Sequence, residues 1–169
     1  EPSAAQPPAE EQRPPLSPDK RAALAALTSA CRERAQSAVR QVVIHVYDVS
    51  RAEAIAQLND VTCVVGGVFH AGVEIYGREW SSGSRVEPGV TGVYSIEPRS
   101  CPGHVWRESI RLGECPLDEQ AARAAIAALE PRWPGEGYDL IRRNCAHFCD
   151  DVCAALGVEQ PPRWLNRFA

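Results

Sequence analysis

Apolar and polar positions alternate along GGVFHAGVEIYG, residues 66–77. Phe69, Ala71, Val73 and Ile75 fall on one side, and His70, Gly72, Glu74 and Tyr76 on the other. A period of two sends successive side chains to opposite faces, so this stretch predicts a strand with one buried face. VVIHVYDV, residues 42–49, predicts an earlier strand with His45 on the side of Val43 and Tyr47, in a folded region that begins at Gln41. Arg78 to Ser82 suits the returning strand of a hairpin with Gly77 near its turn, and GVYSIE, residues 92–97, suits another strand. Pro98 to Gly113 reads as irregular and ends in a short strand, ESIRLG. Arg51 to Asn59 reads as a short helix or a connecting loop.

Helical spacing replaces this alternation elsewhere. Lys20 to Val39 is rich in alanine, starts after Ser17-Pro18-Asp19, and carries Leu24, Leu27, Cys31 and Ala35 as an apolar stripe. That helix is expected either to dock on the folded domain or to project towards a partner. DEQAARAAIAALE, residues 118–130, predicts an amphipathic helix stopped by Pro131. Asn144 is a good N-cap for a last helix over Cys145 to Leu156, which Gly157 ends. The tail PPRWLNRFA is expected to pack through Trp164 and Phe168. Strands followed by helices predict an α+β fold. The organisation is a proline-rich segment over residues 1–19 expected to be disordered or extended, a helical extension over 20–40, and one folded domain over 41–169. The first segment holds six of the fourteen prolines and little that could be buried to offset its ordering entropy.

Composition narrows the function classes. A net charge of −4 with scattered Lys and Arg leaves no nucleic-acid footprint, and no apolar run reaches the roughly 20 residues of a membrane helix. No nucleic-acid partner and no integral membrane segment are therefore expected. Seven cysteines at irregular spacing fit free thiols in a reducing compartment better than a disulfide scaffold. The expected location is the cytoplasm, with the nucleus as a second compartment. The chain starts with Glu1, as a trimmed product would, and shows no signal peptide.

RRNCAHFCDDVC, residues 142–153, concentrates the chemistry. Asn144 places Cys145 in the first turn of a helix, where unpaired N–H groups and the dipole favour a thiolate and can hold an oxyanion. A buried small hydrophobe is the plainer alternative for Cys145. Cys149 and Cys153 follow on about the same face and are expected to pack. Metal is not expected, because His147 leaves the helix on another face and Cys145 to Cys153 spans roughly 12 Å. His147 suits a hydrogen-bonded role at the helix start. A nucleophilic cysteine needs a base, and the candidates are His45, His70, His104 and His147. His70 is preferred, because Gly72 beside it leaves room above the strand. His104 lies in the irregular stretch. A third residue is not evident: Glu74 stands roughly 13 Å along the strand, and Asp48 would serve only if its strand neighbours His70.

VFHAGVEIYGREWSSG (residues 68–83) and GYDLIRRNCAHFCDDV (residues 137–152) resemble the PPPDE family, the deSUMOylating isopeptidases, and the type 2 branch in particular. VYDV (46–49), GVYSIEP (92–98) and PPRWLNRFA (161–169) also fit that branch, so the resemblance covers about residue 41 to the end. It implies a circularly permuted papain-like fold, an antiparallel sheet or barrel packed on helices. It also implies His70 as base, Cys145 as nucleophile, and no cofactor. The implied substrates are proteins modified by ubiquitin or SUMO, or S-acylated on cysteine, cleaved at an isopeptide or thioester carbonyl. The Asn144-capped helix start, with Cys145, would hold the oxyanion. Two other readings compete: a lipid acyltransferase or phospholipase of the lecithin:retinol acyltransferase type, which shares the Asn-Cys-x-His-Phe motif, and a non-catalytic binding module.

Overall fold

The computed structural model describes residues 17–49 and 69–166. The expectations for residues 1–16, for Arg51 to Asn59 and for Phe168 lie outside the described residues. The chain divides into two units, residues 1–35 and 36–169. The first contributes most of α1 (Pro18–Arg40), which begins where the Ser17 carbonyl accepts the Arg21 N–H at 3.0 Å. No residue of α1 is buried, and Leu24, Leu27, Cys31 and Ala35 are exposed.

In the second unit the strands are β1 (Gln41–Val49), β2 (Phe69–Ile75), β3 (Arg78–Ser82), β4 (Val93–Ile96) and β5 (His104–Glu114). They form one antiparallel sheet in the order β4-β3-β2-β1-β5. Among the described residues the sheet is open rather than a closed barrel, with β4 and β5 at its edges. β1 lies inside the sheet, paired on both sides, and its Val42, Ile44 and Val46 are fully buried. Residues 104–113, expected to be mostly irregular, instead belong to one long strand that pairs with β1 along its length. Most of β5 is exposed, so it has no buried face to print an alternation, and two register shifts against β1 break its period. Backbone pairing, not side-chain pattern, defines such an edge strand.

The helices are α2 (Glu119–Ala127) and α3 (Cys145–Leu156). The Asp118 carboxylate caps α2 by accepting the Ala121 N–H at 2.8 Å. The helix ends at Ala127, short of the expected Glu130, because Pro131 forces the last residues into a tighter turn over Glu130–Arg132. α3 stops at Gly157, whose φ of 70° is left-handed. The core face of the sheet (Val42, Ile44, Val46, Ala71, Val73, Ile75) meets Phe148, Cys149, Val152, Cys153 and Leu156 of α3 and Ala122 and Ile126 of α2. In the described part of the tail, Pro161 and Leu165 are buried. Trp164, expected to anchor it, is 38% exposed and lies edge-on against Phe69. The result is an α+β fold with an antiparallel sheet and, among the described residues, three α-helices.

Candidate active site

The site forms where the β2–β3 ladder stops. Val73, Glu74 and Ile75 pair with Trp80, Glu79 and Arg78, but the ladder goes no further. Beyond it β3 stays paired only on its other edge, where β4 continues with Ser81 and Ser82 opposite Tyr94 and Val93. The backbone of Ala71 therefore needs other partners. Its carbonyl accepts the Ser81 hydroxyl at 2.7 Å, and its N–H points to the Cys145 sulfur. The gap between two strands thus receives the first residue of a helix.

Asn144 holds that helix start in place. Its Oδ1 accepts the Ala146 and His147 N–H groups at 3.0 and 3.2 Å, and its own N–H donates to His147 Nδ1 at 3.3 Å. Asn144 Nδ2 donates to the Leu140 carbonyl at 2.8 Å, tying the cap to the preceding turn. His147 is used up in this reciprocal cap, as expected. The cap also consumes two first-turn donors. The N–H of Cys145 itself remains as the candidate oxyanion donor of this helix start.

His70 is 7% exposed and hydrogen-bonds the Cys145 sulfur. Around its ring stand Tyr94 OH at 3.1 Å and Ser81 Oγ at 3.4 Å from Nε2, the Cys101 thiol, and the His104 ring stacked at 4.7 Å. Burial alone would favour a neutral thiol and a neutral imidazole. The pair overrides it. Burial opposes the Cys145 thiolate, yet the His70 charge, the hydrogen bond to that ring, the Ala71 N–H and the Tyr138 hydroxyl together hold its pKa below the ordinary thiol value. Burial likewise opposes the His70 cation, but the Cys145 thiolate and hydrogen bonds to Cys101 and Cys145 push its pKa up, to about 10. Both shifts favour the thiolate–imidazolium form of the pair. Tyr138 and Tyr94 are pushed above the ordinary phenol range, first by burial and next by the neighbouring thiols, so both stay O–H donors.

Cys149 and Cys153 belong to the core cluster, and burial pushes both thiols up, Cys153 to about 12. One helix thus carries an activated sulfur at its start and inert ones along its length.

Several local expectations are corrected. The space above Gly72 is not open: a Cβ there would lie 2.4 Å from Glu79 Oε1, so the glycine makes room for a fully buried carboxylate. Glu79 accepts the Tyr47 hydroxyl at 2.8 and 2.7 Å on its two oxygens and the Arg99 N–H at 2.8 Å. Arg99 sits at a left-handed φ of 62° in the turn that leads to Cys101. Asp48 does not reach His70 although β1 neighbours β2; it pairs with Arg107 at 3.0 Å on the surface. Glu74 serves His45, at 2.6 Å. His104 opens β5 rather than lying in a loop. Tyr94, Tyr138, Ser81 and Cys101 escaped the sequence reading. Only Tyr94 left a signal, as an alternating position of GVYSIE.

The "PPPDE putative peptidase domain" family profile matches residues 40–169. The chain is 34% identical over 135 residues to a DeSI-like protein of Arabidopsis thaliana, covering 79% of this chain and 57% of that one. It is 32% identical over 131 residues to a DeSI-like protein of Schizosaccharomyces pombe, covering 76% and 64%. A desumoylating isopeptidase 1 homolog of Caenorhabditis elegans is 33% identical over 117 residues, covering 66% and 35%. The chain therefore spans less than two thirds of the length of each of these relatives.

Proposed function

This chain belongs to the PPPDE peptidase-domain family, and from that premise we propose that it is a cysteine hydrolase that cleaves isopeptide bonds of SUMO-like or ubiquitin-like modifiers, with Cys145 as nucleophile and His70 as its base. The observation that carries this reading is the meeting of a helix-start thiol with a buried imidazole that shifts its acidity. The name of the Caenorhabditis elegans relative supports the substrate class. Residues 41–169 act as the catalytic domain and residues 20–40 as an extension. His70 preceding Cys145 in the chain fits a circularly permuted papain-like arrangement.

The thiolate of Cys145 attacks the isopeptide carbonyl. The oxyanion is held by the Cys145 N–H and by the Tyr138 hydroxyl, which already donates to the sulfur. The His70 imidazolium protonates the departing lysine amine, leaving a thioester on Cys145 and a neutral ring. His70 then takes a proton from water, whose oxygen attacks the thioester and releases the modifier's carboxylate. Tyr94 and the stacked His104 ring keep His70 from turning away between steps.

The test is turnover of fluorogenic SUMO-type and ubiquitin-type substrates and of an S-acyl thioester peptide by the wild type, Cys145→Ala and His70→Ala. Cleavage of a modifier substrate, lost in both variants, is the expected result. Cleavage of the thioester alone moves the function to S-acyl removal. Turnover of none by a folded protein favours a binding module, and turnover that survives Cys145→Ala removes Cys145 as the nucleophile.

A further inference from the structure

Around His70 the fold brings together donors from three places. His70 comes from β2, His104 opens β5, and Cys101 comes from the turn before it. One donor atom from each lies within 4.8 Å of the other two. The spacing is local where it can be. Cys101-Pro102-Gly103-His104 is a Cys-x-x-His turn, with Gly103 at a φ of 80° in the third position of a Pro-Gly turn. That turn swings Cys101 and His104 to the same side, and the stacked His104 ring lies 4.7 Å from His70 at a tilt of 22°. The Tyr94 hydroxyl sits at the edge of the group, 3.1 Å from His70 Nε2 and 4.0 Å from Cys101 Sγ.

We propose that His70, Cys101 and His104 form a binding site for a borderline-soft divalent cation of the zinc type, and that its occupancy switches off the Cys145–His70 pair. Two imidazoles and a thiolate are the donor set such ions prefer over magnesium or calcium. Tetrahedral zinc with bonds of about 2.0–2.1 Å to nitrogen and about 2.3 Å to sulfur needs donors about 3.3–3.8 Å apart. The present donor atoms lie within 4.8 Å of one another, and rotation of the His104 side chain out of its stack on His70 would bring them into that range. Tyr94 or a water takes the fourth position. His70 and Cys101 are nearly buried while His104 is half-buried, which leaves an approach for the ion on the His104 side.

The inhibitory part rests on His70 being the base of Cys145. A neutral imidazole has one nitrogen lone pair. Coordination takes that pair, so the ring can no longer accept the cysteine proton or become an imidazolium. The Cys101 thiol loses its proton to solvent when it binds, and no redox change is involved.

The site is read directly by titrating Co²⁺ into the full chain carrying Cys145→Ala and watching the visible absorption. Tetrahedral Co²⁺ with a thiolate ligand gives intense visible bands and a sulfur-to-metal charge-transfer band. The expected result is saturable binding with that signature, displaced by Zn²⁺. The charge-transfer band disappears when Cys101→Ala is added, and His104→Ala weakens affinity at least roughly tenfold. A signature absent from Cys145→Ala but present in the wild type would place the metal on the reactive thiol and overturn the proposal. So would a signature that persists without Cys101, or none at all. Far-ultraviolet circular dichroism on each variant separates loss of a ligand from loss of fold, and Cys101→Ser provides a second, milder variant. Turnover with and without Zn²⁺ is measured in parallel, each variant against its own metal-free rate. Inhibition that is at least roughly tenfold less sensitive to Zn²⁺ in Cys101→Ser is expected. Cobalt binding without zinc inhibition would overturn the switch while leaving the site. If the protein cleaves nothing, the function proposed above fails, but the spectrum still decides the site.

Discussion

His45 and His70 stand on neighbouring strands and the same face of one sheet, yet their surroundings differ in kind. His45 Nδ1 lies 2.7 Å from Ser109 Oγ and its Nε2 lies 2.6 Å from the Glu74 carboxylate. On paper that is a serine–histidine–carboxylate series. But Ser109 lies in the middle of edge strand β5, exposed, with Trp106 Nε1 donating to its oxygen at 3.2 Å. No helix start faces it among the described residues. His70 has no carboxylate against its ring in these contacts, but it meets a sulfur placed in the first turn of α3. The comparison teaches that hydrogen-bond partners alone do not make a reactive pair. Reactivity needs a nucleophile whose anion is stabilised where it stands, and here the Ala71 and Tyr138 donors and the capped helix supply that.

The largest effect should come from exchanging the two histidines' fates. His70→Ala is expected to lower kcat/KM by about 10²–10⁴-fold, the usual worth of a general acid–base. His45→Ala is expected to leave it within a few-fold of wild type, roughly the scatter of a remote site. Steady-state kinetics on the cleaved substrate decide; equal losses would mean that the two sites are coupled. His45→Ala should instead appear in urea denaturation as a loss of about 1–3 kcal/mol, because Glu74 loses its partner at the edge of the core.

Next in size is the pH response of the sulfur. With the Cys145 pKa lowered and the His70 pKa raised, the ion pair exists between the two values. Iodoacetamide labelling of Cys145 should therefore hold a plateau across neutral pH and fall only in acid, as the thiolate takes up a proton. His70→Ala should turn that plateau into a slope that rises with pH like that of a small-molecule thiol. Mass-resolved labelling at pH 6 and pH 8 in chelator measures it, and a slope already present in the wild type would count against the pair.

Gly72 separates the two histidines' surroundings, and Gly72→Ala would push a methyl group into the Glu79 carboxylate. A cost of about 1–3 kcal/mol from overpacking is expected by thermal or urea unfolding, and a neutral result would show that Glu79 can move aside. The smallest effect concerns how His70 is held. Tyr94→Phe removes one neutral hydrogen bond to the ring, worth about 0.5–1.5 kcal/mol. The expected loss in kcat is roughly two- to tenfold with KM unchanged, since the residue touches the base and not the substrate.

Wherever one face is buried, the chain announced its own elements. The alternation around His70, the Asn144 cap, the apolar spacing of α3 and the Gly157 stop are local signals, because side-chain period and backbone hydrogen bonding operate over a few residues. They sufficed to put His70 on a strand and Cys145 at a helix start. β5 was largely illegible because an exposed edge strand takes its shape from the neighbour it pairs with. The site's other members were hidden for the same reason. Tyr94, Cys101, His104 and Tyr138 lie 24 to 68 residues beyond His70 in the chain, and no local pattern ties them to it. Glu79 filling the place above Gly72 follows only from the register of β3 on β2. The sequence by itself determined which residues stand on strands and which on helices, and that a cysteine opens the last helix. Tertiary structure alone decided that the β2–β3 ladder ends early enough to admit that helix. It also decided which of four histidines the sulfur meets, because packing and strand register act between segments that the chain order keeps apart.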